Sequence, residues 1–224
     1  MRVKNLHGWD LDYKQARALQ EELAGKLRFT SFDKKPKLVA GLDCAFSKDG
    51  SRIGAVIVVM RWPDFEIVET AEAVRPVQMP YVPGYLSFRE GPACIAAAMK
   101  LKHVPSVFII DGQGTAHPRR MGLASHLGLF FDRPTIGCAK SRLTGEHDEP
   151  GPEKGDYAWL WDDNEKIGAV LRTRTRVKPV YVSPGHKCTR QDAIRIVLQC
   201  TTKYKLPEPT RIAHQLVTKM KPRI

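Results

Sequence analysis

Three carboxylates stand in sequence surroundings where a charge is costly. Asp43 is the only charged residue in the apolar segment Leu38–Phe46, and an unpaired carboxylate in such a strand is strongly disfavoured. Asp111 directly follows the apolar residues 107–110, and α/β proteins bind ligands where such strands end. Glu90 stands near the start of a predicted helix that could lie over the same edge. Three converging carboxylates favour a hard cation such as Mg²⁺, which prefers oxygen ligands.

Two of these acids also fit ordinary structural roles. Asp111 followed by Gly112 is a common opening of a turn. Glu90 in the first turn of a helix would be stabilised by the helix dipole. Asp43 has no comparable structural explanation, and the metal-site hypothesis therefore depends mainly on it.

The glycine-rich segment after Asp111 does not match the common nucleotide-binding motifs. The third glycine of a dinucleotide fingerprint would fall on His117, and no Gly-Lys-Ser/Thr sequence follows. A zinc deaminase needs an H-x-E motif together with P-C-x-x-C, and P-C-x-x-C does not occur. These absences exclude the Rossmann, P-loop and zinc deaminase classes.

The elements that must position the acids predict an α/β fold. A helix from Asp10 to Leu27 precedes three apolar segments joined by short turns, which predict three antiparallel strands. Strand, helix, strand, helix and strand follow through residue 139, and this order requires parallel pairing. We expect residues 1–224 to form one domain, with the mixed sheet of a ribonuclease H-like fold flanked by helices. Parallel pairing of the first and fourth strands would make Asp43 and Asp111 neighbours.

The charge balance predicts a polyanionic partner. The 224 residues contain 36 Lys and Arg against 24 Asp and Glu, a net charge of +12. Such a field favours nucleic acid first and an anionic membrane surface second. The apolar run Ile53–Met60 is too short to span a bilayer, and the N-terminus has no apolar segment typical of a signal peptide. Five cysteines without a C-x-x-C pair predict free thiols, so we expect a cytoplasmic protein.

Some of the basic residues have a spacing of their own. Arg172, Arg174, Arg176 and Lys178 alternate, so an extended segment would place all four on one face. Such a face could follow a phosphate backbone or could protect an edge strand from aggregation. Arg119 and Arg120, close to the predicted site, are stronger candidates for phosphate contacts.

Several strings of residues, in this order along the chain, resemble the endonuclease V family. They span about residues 38 to 214 and are Val39–Asp43, Pro80–Glu90, Asp111–Arg119, Ala124–Gly128, Gly137–Ser141, Val182–His186 and Leu206–Arg211. The resemblance implies a repair nuclease that uses Mg²⁺, with Mn²⁺ as a substitute. It would cut the second phosphodiester bond 3′ to deoxyinosine in DNA and leave a 3′-hydroxyl and a 5′-phosphate.

The resemblance leaves two other functions open and implies few partners. The same site could act on inosine in RNA, since recognition of the 2′-hydroxyl has no local motif. A non-catalytic nucleic-acid-binding protein on a nuclease scaffold is a further alternative. We expect inosine-containing DNA as the partner. We further expect a monomer that binds no membrane and needs no protein partner.

The resemblance also assigns the catalytic and metal-binding residues. Asp43, Glu90 and Asp111 correspond to metal ligands with a catalytic role, and Lys140 corresponds to the catalytic lysine of the family. His214 falls on a fourth ligand position, where many relatives carry Asp and where a surface histidine is the structural alternative. An imidazole there would shift the metal preference towards Mn²⁺.

A proline-fixed loop and the segments beside it are expected to bind the substrate. Pro80, Tyr81, Val82 and Pro83 correspond to a wedge, in which Tyr81 would fill the gap left by an extruded base; a core-packed tyrosine is the alternative. The extruded hypoxanthine would be recognised through main-chain groups, which glycines let approach closely. The residues expected around it are Gly84 and Leu86 on one side and Gly112, His117 and Leu123 on the other, with Arg119 nearby. His117 could contact a phosphate instead.

Overall fold

The chain folds into one mixed sheet with helices on both faces. The computed structural model describes residues 1–31 and 35–224. The strands in these ranges are β1 (Leu38–Phe46), β2 (Arg52–Arg61), β3 (Ile67–Pro76), β4 (Val107–Ile110), β5 (Thr135–Ala139), β6 (Tyr157–Asp162), β7 (Glu165–Leu171) and β8 (Val180–His186). The helices are α1 (Tyr13–Ala24), α2 (Leu86–Met99), α3 (Leu123–Phe131), α4 (Arg190–Gln199) and α5 (Glu208–Met220), and a short 3₁₀ turn covers Lys221–Arg223.

The order of the strands is β3-β2-β1-β4-β5-β8-β7-β6. The first three strands pair antiparallel, and β4 and β5 then continue the sheet in parallel with β1. This confirms the expected arrangement. Leu42 on β1 pairs with Ile110 on β4, so Asp43 and Asp111 come next along two adjacent strands. The remaining strands β8, β7 and β6 extend the other side of the sheet in antiparallel fashion.

Successive side chains along β1 point alternately into two apolar layers, one on each face of the sheet. Val39 faces the layer that packs against α4 and α5, while Ala40 and Leu42 face the layer that packs against α2 and α3. This alternation follows from the two-residue period of a strand, and it explains why β1 is apolar on both faces apart from Asp43. Within the described ranges, no helix is long and apolar enough to cross a membrane.

Helix α5 lies unusually close to β1 because of one glycine. A Cβ atom on Gly41 would stand 2.0 Å from the carbonyl carbon and oxygen of Pro209. Only a residue without a side chain allows this contact. The close approach of α5 brings His214, one turn further along the helix, to the edge where β1 carries Asp43.

The first helix differs from the sequence expectation at both ends. It begins at Tyr13 and not at Asp10, because Asp12 forms a capping box with Gln15. The Asp12 carboxylate accepts from the Gln15 N–H at 2.8 Å, and the Gln15 side chain accepts from the Asp12 N–H at 3.0 Å. The helix ends at Ala24, so Leu27 lies beyond it.

The basic segment after β7 also differs from expectation. Residues 172–178 form a turn, in which Arg176 has a φ of +58°. The expectation of four cations on one extended face is therefore wrong. Arg172 is buried and binds the carbonyl of Gly151 at 2.9 Å and the carboxylate of Glu149 at 2.8 Å. Strand β6 forms the edge of the sheet beside β7.

We predict that Gly41→Ala destabilises the protein by about 1–3 kcal/mol or more, because the added methyl group collides with the backbone of α5. Urea denaturation monitored by circular dichroism measures the effect. Gly8→Ala is the matched control, since a Cβ there meets no atom within 4 Å. Equal free energies of unfolding for the two variants would show that α5 does not depend on this contact.

Candidate metal centre and adjoining pocket

Two carboxylates and an imidazole meet at the edge of β1, β4 and α5. One ligand atom from each of Asp43, Asp111 and His214 lies within 4.8 Å of the others. His214 Nδ1 is 2.7 Å from Asp43 Oδ2, and the N–H of Cys44 donates to Asp43 Oδ1 at 2.7 Å. Two oxygen donors and one nitrogen donor in this spacing fit a divalent cation of the Mg²⁺ or Mn²⁺ type.

The two carboxylates repel each other in a largely buried position. Burial raises the pKa of Asp43, and the charge of Asp111 raises it further. The hydrogen bonds from His214 and from the Cys44 N–H, together with the charge of Lys140, oppose this rise. The centre therefore needs positive charge, which a bound cation would supply.

Lys140 brings one positive charge to this edge. It follows β5, which pairs in parallel with β4, and its Nζ is 2.5 Å from Asp111 Oδ2. Burial opposes the charge of Lys140, but the hydrogen bond and the charge of Asp111 outweigh burial and raise its pKa. Lys140 is thus a stable cation at the mouth of the site, with its side chain still 44% exposed.

Glu90 approaches from α2 on the opposite face of the sheet and lies deeper. It is 8% exposed. Burial, followed by the charges of Asp43 and Asp111, raises its pKa to about 8. Its carboxyl group also interacts with Cys44, whose Sγ is 3.4 Å from Cys94 Sγ. Glu90 does not belong to the compact group of three ligand atoms found among the described residues, and its role as a ligand stays a prediction.

A cavity of about 390 Å³ opens beside these residues, within the usual size range of ligand pockets. Asp111 and Lys140 line the cavity, so the centre and the pocket share a wall. The predicted substrate-binding residues that line it are Tyr81, Pro83, Gly84, Leu86, Gly112, His117 and Leu123. Pro80 and Val82 belong to the same loop but do not line the cavity. Tyr81 is 64% exposed at the rim, which excludes the core-packed alternative.

The carbonyl of Gly84 is held by three donors. His117 Nε2 lies 2.9 Å from it, Arg119 Nη2 2.9 Å and Gln20 Nε2 3.0 Å. Gln20 also donates to the carbonyl of Met121 at 3.2 Å and accepts from Arg119 Nε at 2.7 Å. Two segments that line the pocket, at Gly84 and at Met121, are therefore tied together by one amide from α1.

The protein uses the polar groups of His117 and Arg119 internally. Burial lowers the pKa of His117 to about 4, and its second nitrogen accepts from the N–H of Arg119 at 3.1 Å. A neutral imidazole with both nitrogens occupied is poorly suited to bind a phosphate. The Arg119 guanidinium also lies over the Tyr85 ring, 4.6 Å from its centre, and phosphate binding by Arg119 stays a prediction.

Arg120 is likewise engaged by protein groups. Its guanidinium binds Asp162 and Glu165, each at 2.7 Å. The two carboxylates belong to the β6–β7 hairpin, so Arg120 joins the pocket region to that hairpin. A charge neutralised in this way contributes little to phosphate binding.

The family model of endonuclease V matches residues 21–215 of the chain. The endonuclease V of Alkalilimnicola ehrlichii is 48% identical over 217 residues, which are 96% of this chain and 96% of that protein. This chain belongs to the endonuclease V family. 

Solved structures agree with this assignment over the whole fold. The endonuclease V of Bacillus subtilis superposes with a TM-score of 0.94 at 31% identity and covers 100% of this chain and 98% of that chain. The endonuclease V of Ciona intestinalis, solved with a 24mer DNA containing an inosine followed by a ribo-adenosine, has a TM-score of 0.79 at 30% identity. That match covers 92% of this chain and 96% of the Ciona chain.

Two glutamines at the pocket were not predicted from the sequence. Gln20 lies just before the part of the chain that the family model matches, and it is fully buried on the apolar side of α1 together with Ala16 and Leu23. A polar residue within that apolar stripe was the available signal. Gln113 lines the pocket and donates to the carbonyl of Ser141 at 2.9 Å, while its Oε1 has no hydrogen-bond partner among the described residues.

We predict that Gln20→Met loosens the pocket, because the Gly84 and Met121 carbonyls lose a donor and Arg119 Nε loses its acceptor. The loss of stability should be about 1–3 kcal/mol. Hydrogen exchange followed by mass spectrometry should show faster exchange in residues 80–86. Lys14→Met, on the exposed side of the same helix, is the control, and equal exchange in both variants would contradict a positioning role for Gln20.

We predict that Glu90 makes the metal-free protein less stable as the pH rises. Its pKa is about 8 in the folded chain against an ordinary 4.5, so the unfolded state loses the proton first. The free energy of unfolding in EDTA should fall between about pH 4.5 and pH 8, at a rate approaching about 1.4 kcal/mol per pH unit. Glu90→Gln should remove this component of the fall. The free energies of unfolding of the wild type and of Glu90→Gln should differ least at pH 4. If the two proteins show the same dependence on pH up to pH 8, the raised pKa of Glu90 would be refuted.

Proposed function

We propose that the chain is a divalent-metal-dependent endonuclease that cuts DNA at the second phosphodiester bond 3′ to deoxyinosine. The products are a 3′-hydroxyl and a 5′-phosphate, and residues 1–224 act as a single domain. One observation carries this proposal. The possible metal ligands Asp43, Asp111 and His214 lie beside a pocket that is lined by Asp111 itself and by Lys140. The Ciona relative, solved with inosine-containing DNA, supports the choice of substrate.

The donor set suits Mg²⁺, with Mn²⁺ as a substitute. Asp43 and Asp111 would hold the ion through oxygens, His214 through a nitrogen, and Glu90 would complete the set from the other face. When bound, the ion would stabilise negative charge on the phosphate and lower the pKa of an attacking water. The His214 nitrogen is the feature that favours Mn²⁺ over a site built from oxygens alone.

Residues of the chain itself would orient the scissile phosphate and disfavour other placements of it. Lys140 stays protonated beside Asp111 and would stabilise the charge that develops on the scissile phosphate. Asp43 is fixed by its bonds to His214 and the Cys44 N–H, so its carboxylate is already oriented. This preorganisation spares the site a rearrangement when substrate binds.

The pocket would receive the extruded base. Tyr81, exposed at the rim between two prolines, would fill the gap left in the duplex. The carbonyl of Gly84 is occupied by three donors, which leaves the Gly84 N–H as the group that meets the base from that wall. Main-chain groups at Gly84 and Gly112 would select the lactam N1–H and O6 of hypoxanthine, an arrangement that adenine does not present.

A cleavage assay on end-labelled duplexes with one inosine tests this function. We predict a single nick at the second phosphodiester bond 3′ to the inosine. The nick should depend on Mg²⁺ and should be abolished by Asp43→Asn. Lys140→Met should lower kcat by about 10²–10³-fold. Asp64→Asn, an exposed acid away from the site, should cut like the wild type. Full activity of Asp43→Asn would exclude the metal centre.

Matched strands distinguish the alternatives. An RNA strand with the same sequence and one inosine tests the endoribonuclease, and faster cleavage of RNA than of DNA would replace the proposed substrate. Binding of inosine-containing DNA without any nick at saturating Mg²⁺ or Mn²⁺ would indicate a non-catalytic binding protein.

A further inference from the structure

A second cationic surface lies away from the candidate metal centre. We name it the distal basic patch and define it as Arg2, Lys4, Arg28, Arg133 and Lys187 around the single carboxylate of Asp132. These cations come from four separate segments of the chain: the N-terminus, the segment after α1, the α3–β5 connection and the β8–α4 connection.

Main-chain bonds hold these segments together. The Lys4 N–H donates to the carbonyl of Phe130 at 2.8 Å, and the Lys187 N–H donates to the carbonyl of Arg28 at 2.7 Å. The Arg28 N–H donates to the His186 side chain at 3.2 Å. The cations are therefore gathered by the fold and do not follow from a basic run in the sequence.

The distal basic patch and the metal centre lie at opposite ends of the sheet. Asp132 and Arg133 precede β5, whereas Lys140 follows it, and His186, at the end of the antiparallel strand β8, pairs with Thr135. Five residues of β5 correspond to about 15 Å between the two ends. The distal basic patch is therefore spatially separate from the metal centre.

The charges of the distal basic patch are unbalanced. Asp132 pairs with Lys187 at 2.8 Å and with Lys4 at 3.2 Å. Arg2, Arg28 and Arg133 form no ion pair with any acid in the described part of the chain. Burial, followed by the charge of Lys187, lowers the pKa of His186 to about 4, so this histidine adds no charge at neutral pH. Five cations face one carboxylate.

The surface is also concave. Cavities of about 450 Å³ and 470 Å³ adjoin each other and share Lys4, Asp132 and Lys187. Arg2 and Arg133 line the first cavity, and Arg28 lines the second. Cations around adjoining hollows can engage successive phosphates of a backbone, as nucleic-acid-binding surfaces do.

We propose that the distal basic patch binds the phosphate backbone of a second nucleic-acid segment, separate from the one held at the metal centre. The protein would then bridge two segments or two molecules of DNA. The choice of nucleic acid as ligand rests on the proposed function, but the second binding surface does not depend on cleavage. Its attraction is electrostatic and independent of sequence, so inosine is not required in the second segment.

A bridging assay tests this proposal. An inosine-free duplex is immobilised on beads, and a second, fluorescent inosine-free duplex is supplied with the protein at low salt. We predict that wild-type protein captures the fluorescent duplex and that Arg2→Glu with Arg133→Glu lowers this capture at least about tenfold. Both arginines lack ion pairs, so their replacement breaks no internal bond.

The control has the same change of charge at other exposed positions. Lys14→Glu with Lys219→Glu should capture the second duplex like the wild type. Sedimentation of each protein without DNA excludes bridging by self-association. The nicking rate on a short inosine duplex should be equal in Arg2→Glu with Arg133→Glu and in the wild type.

Three results would overturn the proposal: one duplex per wild-type protein at saturation, equal capture by the patch and control variants, or capture that requires self-association. If the proposed nuclease function is wrong, the results would differ from these three. In that case the wild type would not nick inosine-containing DNA, while bridging and its loss in Arg2→Glu with Arg133→Glu would be unchanged.

Discussion

The repulsion between Asp43 and Asp111 is the constraint on which the rest of the site depends. Parallel pairing of β1 and β4 brings the two carboxylates together in a largely buried place, and burial alone raises the pKa of Asp43. Their positive and donor partners come from elements distant in sequence. Helix α5 supplies His214, β5 supplies Lys140, and the glycine at position 41 allows α5 to approach closely enough. A site that still requires positive charge is suited to a cation and a phosphate together.

A network of hydrogen bonds lies beside the pocket. Gly84 contributes a carbonyl that accepts from Gln20, His117 and Arg119, and the same glutamine donates to the carbonyl of Met121. Removing one donor would leave several buried polar groups unsatisfied at once, which costs more than the bond itself. Such a network holds the segments around Gly84 and Met121 in one arrangement.

The order of the first five strands and the proximity of Asp43 and Asp111 could be predicted from the sequence, because both follow from local patterns. An apolar strand with one acid, and strands separated by helices, are visible without tertiary contacts. Gln20 and the true geometry of Arg172 could not be read in this way. The alternation of Arg172 and its basic neighbours indicated an extended segment, but the residues form a turn in which the buried Arg172 side chain binds Glu149 and Gly151. Contacts between residues far apart in sequence decided these cases, and a single sequence does not display them.

The distribution of the basic surplus is more informative than its size. Arg120 and Arg172 are neutralised by Asp162, Glu165 and Glu149 within the protein, and Arg119 serves the Gly84 carbonyl. These arginines, near the site in sequence or in an apparent basic track, therefore contribute little free charge. Arg2, Arg28 and Arg133, which have no acid partner in the described part of the chain, instead collect at the far end of the sheet beside Lys4 and Lys187. The positive charge that the protein leaves free is thus gathered away from the central acids, of which Asp111 is bound by Lys140.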